Sequence, residues 1–265
     1  MMYKLPKFFC PNSKTKLVRL GRPNDGGYSI PEKSLGEVKI LFSFGLDDDW
    51  SFEEDFKKRT KAKILCFDNS VNYKFWVKRF IKDIIYFDFR KNHYEQFKRM
   101  FTFFKYKYFF MQKNVRHIKK HLISSDVILP FLIKNNFTNF ENILNTWGSN
   151  YFFLKMDIEG NEYRILDHII QNQTNMLGMT IEFHDSDLMC NKIKNFIEKL
   201  DLDLVHIHVN NFCSIAKNNF PTVLELTFSA KKYNHTGDVD EFNFPNKEID
   251  QPNNKEEIDK KILFY

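Results

Sequence analysis

At 265 residues and a net charge of +6, the chain is long enough for one large domain with a sizeable core, and only mildly basic. Its four cysteines, Cys10, Cys66, Cys190 and Cys213, stand far apart with no CxxC pair, which argues against a disulfide framework or a zinc site; Cys66 and Cys213 fall in apolar runs and read as buried thiols. No stretch approaches the roughly 18 apolar residues that span a bilayer, and the first residues carry no signal-peptide core, so a cytoplasmic protein without a membrane span is expected.

The first element is a hairpin. Two short apolar runs, Leu17–Leu20 and Tyr28–Ile30, flank Asn24-Asp25-Gly26-Gly27, a strong turn signal. Gly26 and Gly27 would let backbone amides approach a ligand closely; a plain hairpin at the domain edge is equally open. Val38 to Phe44 then reads as a strand, Gly45 as a turn, and Phe52 to about Arg59 as a helix, with Ser51 and Glu54 spaced as a capping box. Lys63 to Phe67 is another apolar strand, ending at Asp68 and Asn69. Strand, glycine, helix, strand, acid is the plan of nucleotide-cofactor folds, in which the terminal acid holds ribose hydroxyls. The single glycine argues against a dinucleotide, whose pyrophosphate needs closer backbone approach.

Asp47-Asp48-Asp49 supports three readings: an acidic loop favoured by the helix dipole, cofactor contact by Asp47 or Asp49, and a glycosyltransferase-type cation site, in that order. From Val71 to Lys120 basic residues interleave with Phe and Tyr. Phe75-Trp76-Arg79-Phe80 has helical spacing, and Ile84 to Asp88 reads as a third strand. A solvated amphipathic face is favoured here over nucleic-acid binding, and its charge would steer an anionic acceptor inward. Ser124-Ser125-Asp126 precedes a helix-like Val127–Ile133, which Asp126 could cap.

Tyr151 to Met156 is a strand with little alternation, as in a parallel sheet buried on both faces. It stops at Asp157-Ile158-Glu159-Gly160, and Glu162 to Gln171 opens a helix. Acids at the carboxyl end of such a strand stand where open α/β sheets bind ligands. Met176 to Phe183 is the next strand, ending at His184-Asp185. A helix from about Leu188 to Leu200 follows, then strands at Leu204–Asn211 and Thr222–Phe228. Residues 231–261 are polar and aperiodic, as a surface extension or partly disordered tail.

Leu154-Lys155-Met156-Asp157-Ile158-Glu159-Gly160-Asn161-Glu162 resembles the Leu-Lys-x-Asp-x-Glu-Gly-x-Glu signature of the FkbM-type methyltransferases. Asp25-Gly26-Gly27-Tyr28, the Phe44-to-Glu53 segment, Glu182-Phe183-His184, His206-x-His208-x-Asn210-Asn211 and Pro221-to-Phe228 resemble further pieces of that family, so the likeness runs from about Leu17 to Phe228. It implies an α/β class I methyltransferase, Rossmann-like fold: about seven mostly parallel strands with an antiparallel edge strand, and helices on both faces. The implied organisation is a hairpin extension at 1–36, a methyltransferase domain at 37–230 with a basic, aromatic insertion near 71–120, and a polar extension at 231–265.

The implied cofactor is S-adenosyl-L-methionine, which has no phosphate to cradle and tolerates the lone Gly45. Its contacts would come from Gly26, Gly27, Tyr28, Gly45, Asp47, Asp49, Ser51, Asp68, Asn69, Ser125, Asp126 and Asp157. The implied reaction is O-methylation of a sugar hydroxyl on a glycan, a sugar nucleotide or a capsule precursor, with a capsular phosphoramidate also open. The acceptor is expected to be anionic, and no stable nucleic-acid partner is expected. His184 is the first choice of general base, with an ordinary pKa near 6.5; Asp157 orients it or replaces it, and Glu159 contacts substrate or the cofactor's amino group. Asp157, Glu159, His184, His206 and His208 could also converge on a divalent metal. A polar strand face bonded to its neighbours is favoured over that. The rival readings are a metal-dependent nucleotide-sugar glycosyltransferase using Asp47–Asp49, and a nucleic-acid-binding protein using the basic stretch.

Overall fold

The computed structural model describes residues 2–86, 101–128, 130, 134–236 and 243–265. Strands β1 (Tyr3–Leu5), β2 (Ser13–Lys14), β3 (Leu17–Leu20) and β4 (Tyr28–Pro31) precede β5 (Ile40–Phe44), helix α1 (Ser51–Arg59), β6 (Lys63–Phe67), α2 (Tyr73–Ile85), α3 (Thr102–Phe110) and β7 (Val115–Ile118). After them come β8 (His121–Leu122), β9 (Phe137–Thr138), α4 (Phe140–Trp147), β10 (Phe152–Met156), α5 (Leu166–Gln171) and β11 (Met176–Phe183). The chain continues through α6 (Cys190–Lys199), β12 (Leu202–Val209), β13 (Leu224–Ala230), β14 (His235–Thr236) and β15 (Ile262–Phe264).

Seven strands form one sheet in the order β12-β13-β11-β10-β5-β6-β7. Pairings from β7 across to β11 are parallel, and β13 runs antiparallel to both neighbours. This is a mostly parallel, Rossmann-like sheet of seven strands. The antiparallel strand lies one position in from the edge rather than at it, so the expected antiparallel edge strand is corrected in place. From β5 the chain winds outward to β6 and β7, then returns to β10 beside β5 and winds the other way. That reversal opens a crevice between the carboxyl ends of β5 and β10, where such sheets bind ligands.

Alternate residues of the central strands divide the core into two layers. Ile40, Phe42, Phe44, Leu154, Met156, Ile181 and Phe183 pack with α4, α5 and α6, while Leu41, Ile64, Cys66 and Phe153 pack with Phe52 and Phe56 of α1 and with Trp76 and Tyr106 of α2 and α3. Truncating a fully buried phenylalanine such as Phe42 or Phe153 to alanine costs about 3–5 kcal/mol. Over β10, β11, β13 and β12 the second face is polar instead. Lys155, Thr180, Glu182, Glu225, Thr227, His206 and His208 are all buried there. The β3–β4 hairpin covers part of this face, with Thr227 Oγ1 donating to Ser29 O at 2.7 Å. The segment 243–265 straps the rest, and β15 pairs with β1 while β14 pairs with β2.

Several sequence expectations shift. The edge strand is Val115–Ile118, not Ile84–Asp88: Ile84 and Ile85 end α2, and Phe87 and Asp88 lie outside the described residues. The stretch 71–120 is therefore not all insertion, since it supplies a strand of the sheet. No helix follows Asp126 at Val127 and Ile128; positions 129 and 131–133 lie outside the described residues. The polar residues beyond 243 form the strap just described. Cys66 is buried, but Cys213 is half-buried and outside any strand.

Candidate active site

The crevice is a cleft of about 1000 Å³. Gly26 and Tyr28 of the hairpin, Gly45 to Asp49, Asp68, Asp157 to Glu159, Glu182, His184 and Asn210 all line it. Most of these stand at the carboxyl ends of β5, β6, β10, β11 and β12, with Gly26 and Tyr28 at the amino end of β4. Asp47, Glu159 and Asp185 hold left-handed φ angles of 43°, 54° and 50° at these strand ends. Such angles cost non-glycine residues on the order of 1–3 kcal/mol each and gather at functional sites.

Gly45 is required by packing. Its φ is +82°, and a Cβ would fall 1.6 Å from the carbonyl oxygen of Asp157, so only glycine lets the ends of β5 and β10 meet. The same holds at the hairpin: a Cβ on Gly26 would meet Asp49 Oδ2 at 2.4 Å and one on Gly27 would meet Arg22 O at 2.5 Å. The space a side chain would take at these two glycines is filled by protein atoms; Gly26 lines the cleft and Gly27 does not.

Asp68 holds the Gly45 loop. Its Oδ2 accepts from Leu46 N (2.9 Å) and Asp47 N (3.2 Å), and its Oδ1 from Ser70 N (2.7 Å) and Ser70 Oγ (2.6 Å). Burial alone would raise this carboxyl, but the bonds from Ser70 and the two loop amides hold it below its ordinary value. Of the four donors, only the Ser70 hydroxyl can rotate away to admit another. Asp49 accepts from Ser51 N at 3.0 Å and pairs with Arg22 at 3.1 Å, and Asp48 pairs with Arg79. Trp50 is the N-cap of α1 without a side-chain bond, and Ser51 Oγ accepts from Arg22 N, so the expected capping box is absent.

Across the crevice lies a cluster of acids around one histidine. Tyr28 Oη shares its proton between Asp157 Oδ2 (3.0 Å) and Glu182 Oε2 (3.2 Å). Glu182 Oε1 accepts from Asn210 Nδ2 at 3.0 Å. His184 Nδ1 lies 3.1 Å from Glu162 Oε1, and its Nε2 is 3.4 Å from Glu159 and 3.7 Å from Glu182. Burial alone would lower the His184 pKa, but the Glu162 bond and the charges of Glu162, Glu182 and Asp157 raise it to about 9. His184 therefore carries a proton at neutral pH, which corrects the expectation of an imidazole poised near 6.5. Burial, with Asp157 and Glu225 nearby, pushes Glu182 well above the ordinary carboxyl value. Beneath them Lys155 Nζ donates to Gly45 O at 2.7 Å and lies 3.9 Å from Asp157, tying the two strand ends together.

The structure thus brings Gly26, Tyr28, Gly45, Asp47, Asp49, Asp68, Asp157, Glu159 and His184 to one cleft. Gly27, Ser51 and Asn69 do not line it. Ser125 and Asp126 do not line it: with Ser124 they surround His168, whose Nδ1 bonds Glu141 at 2.7 Å. His121 to Ile123 and Phe137 line that side instead. His206 and His208 turn away from His184 towards the strap, pairing with Asp250 (2.8 Å) and with Glu225 and Asp259 (both 3.1 Å). Glu182, Glu162 and Lys155 were missed as site residues. For Glu182 the signal was available, since residues two apart on a strand share a face, as Glu182 does with His184. Acids outnumber bases along the cleft, so its field favours cations and does not match the anionic acceptor expected.

No protein-family model and no curated protein matches the chain. Solved structures similar to it include the methyltransferase FkbM from Methylobacillus flagellatus KT, at 12% identity over 71% of this chain and 43% of that one, with a TM-score of 0.38. Streptococcus pneumoniae Sp1610 in complex with S-adenosyl-L-methionine is similar at 11% identity, over 75% of this chain and 69% of that one, with a TM-score of 0.37. Precorrin-6y C5,15-methyltransferase from Geobacter metallireducens GS-15 stands at 11% identity, 75% and 86% coverage and a TM-score of 0.35. Likeness of this degree says nothing of what this chain acts on.

Proposed function

We propose that the chain is an S-adenosyl-L-methionine-dependent O-methyltransferase of the FkbM type, acting on a hydroxyl of a sugar, a sugar nucleotide or a related surface-polysaccharide precursor. The observation that carries this reading is the pair of strand ends at the chain reversal. Asp68 and the Gly45 loop stand on one side of the cleft, and Asp157, Glu182 and His184 stand on the other. The cofactor, when bound, supplies a methyl group already electrophilic on a sulfonium. The cleft fits such a group in two respects: its volume suits a ligand of nucleoside size, and its surplus of carboxylates suits a positive charge.

Asp68 would hold the ribose by exchanging its Ser70 hydroxyl bond for one from the sugar, with the Gly45 loop kept in place by its amide bonds. The remaining work falls to the acceptor side. Alignment of an acceptor oxygen can contribute on the order of 7–11 kcal/mol, and a positioned proton acceptor about 10²–10⁴-fold in rate. A histidine that already holds its proton takes no other, so at neutral pH the Asp157–Glu182–His184 group acts as a unit. Tyr28 fixes the two carboxylates and Glu162 fixes the ring.

The glycosyltransferase alternative loses two of its three candidate ligands here, because Asp48 and Asp49 are engaged by Arg79 and Arg22. Titration calorimetry with S-adenosylhomocysteine tests the reading. Binding is expected without a nucleotide sugar, and Asp68→Ala should weaken it about 10–100-fold, the worth of a hydrogen bond to a charged group. Absence of binding, or binding of a UDP-sugar with manganese instead, would overturn it.

A further inference from the structure

We propose that Asp157, Glu182 and His184 form a divalent-cation site at the floor of the cleft, and that an acceptor bearing two adjacent oxygens completes its coordination. The use made of the site rests on the methyl-transfer reading; its existence does not. One ligand atom from each residue lies within 4.8 Å of the other two, and His184 Nε2 already stands 3.7 Å from Glu182 Oε1. Neighbouring ligands on a cation with bonds of ~2.1 Å lie about 3–4 Å apart. A small rotation of Asp157, the most open of the carboxylates that Tyr28 holds, closes the remaining gap.

The orientation of the histidine is a separate observation. Glu162 is fully buried, and its Oε1 accepts from Ile158 N (3.1 Å) and Gly160 N (3.2 Å) as well as facing His184 Nδ1. That oxygen is fixed by backbone and can only accept, so the Nδ1 proton belongs to it. The Nε2 atom is left facing Glu182 and the cleft, and the proton it carries at neutral pH is released to solvent when a cation takes its place. A carboxylate that holds the far nitrogen of an imidazole is how metal-binding histidines are oriented. Glu162 itself lies outside the ligand set, and its Oε2 has no partner among the described residues.

Charge points the same way. Glu162 and Glu182 are buried and Asp157 is half-buried beside them, and the nearby cation Lys155 is shared between Gly45 O and Asp157. Like charges gathered out of water are costly unless offset; the His184 imidazolium offsets them in part, and a dication in place of its Nε2 proton brings one more positive charge. One nitrogen and two carboxylate oxygens suit manganese, iron or zinc better than calcium, which takes six to eight oxygens. Three protein ligands leave positions open on the cleft side. Two adjacent acceptor oxygens, as in a vicinal diol, would fill them, and the cation would acidify the hydroxyl that reacts. In that reaction the acceptor oxygen loses its proton to Glu159 or water at the rim. The O–C bond forms, and the S–C bond breaks with its electron pair left on sulfur.

The test titrates the chelator-stripped full chain with MnCl2 at pH 7.5, by calorimetry and electron paramagnetic resonance. One manganese per chain is expected, weakened at least tenfold in Asp157→Asn and about 10–100-fold in Glu162→Gln. Nitrogen coupling to the manganese should vanish in His184→Gln. Absence of binding, or binding unchanged in Asp157→Asn and His184→Gln, overturns the proposal. Asp157 is partly exposed, so its variant is informative even if Glu182→Gln fails to fold. A parallel titration with S-adenosylhomocysteine separates the two ideas. Nucleoside binding without manganese binding removes the cation site alone, and manganese binding without nucleoside binding keeps the cation site and removes the methyl-transfer reading.

Discussion

Two histidine–carboxylate clusters lie on the same polar face of the sheet, and they differ in what covers them. His184, at the end of β11, faces Glu162, Glu182, Asp157 and Glu159 and opens into the cleft. His206 and His208, on β12, face Asp250, Asp259 and Glu225 beneath the strap. In both clusters carboxylates overcome burial and raise a histidine, His184 to about 9 and His208 to about 10. The chemistry is alike; access is not. One cluster can meet a ligand, while the other fastens the chain's last segment over a face of β12 and β13 that no helix among the described residues covers.

The sharpest way to break that comparison is to cut the sealed pair. His206 Nε2 and Asp250 Oδ1 lie 2.8 Å apart, and both side chains are almost wholly buried. Removing one partner leaves a buried ring nitrogen without its hydrogen bond, so Asp250→Ala should lower unfolding stability by about 1–3 kcal/mol in a urea titration. Affinity for S-adenosylhomocysteine should stay within twofold or so. Lost affinity at unchanged stability would make the strap cluster part of the site and erase the distinction.

The converse change is His184→Gln. It should cut methyl transfer about 100-fold by loosening the acceptor side of the cleft while the nucleoside titrates as before, because nothing on the Asp68 side of the cleft depends on His184. Labelled S-adenosylmethionine with a panel of sugar nucleotides and capsule precursors, read by mass spectrometry, gives the rate. Full activity in the variant would remove His184 from the reaction.

How far these clusters could be read beforehand differs for physical reasons. Strands buried on both faces announce themselves as apolar runs, and Ile40–Phe44, Lys63–Phe67 and Phe152–Met156 fall where the pattern put them. The edge strand Val115–Ile118 has no such run: it holds Arg116 and His117, while Ile84 and Ile85, largely exposed on α2, imitate one. Lys155 sits inside an apolar strand, and a buried lysine must find carboxylates and carbonyls; that signal was legible and passed over. The partners of His206 and His208 were not legible, because contacts spanning 44 and 51 residues leave no local pattern. The alternation of β12 shows that His206 and His208 share a face, not what covers it.

The gentlest probe of the comparison is pH. His208 in the folded chain is raised from 6.5 to about 10: burial alone would lower it, and Glu225 and Asp259 more than reverse that. Between those values the folded chain keeps a proton that the unfolded chain gives up. The stabilisation is therefore complete below about pH 6.5 and is lost as pH rises towards 10, by at most about 1.4 kcal/mol per pH unit. Glu225 and Asp250 shift the other way: burial alone would raise them, and their histidine partners hold them below their ordinary values. Their contribution is present above the ordinary carboxyl range and is lost on acidification through their lowered values. Urea midpoints should accordingly be highest between about pH 5 and 6.5 and decline on either side. In His208→Gln the alkaline decline should become shallower, since the group that releases the proton is gone. An unchanged alkaline slope would place the titrating group elsewhere, with His184 the next to examine, and would make the open cluster rather than the sealed one the pH-sensitive part of the fold.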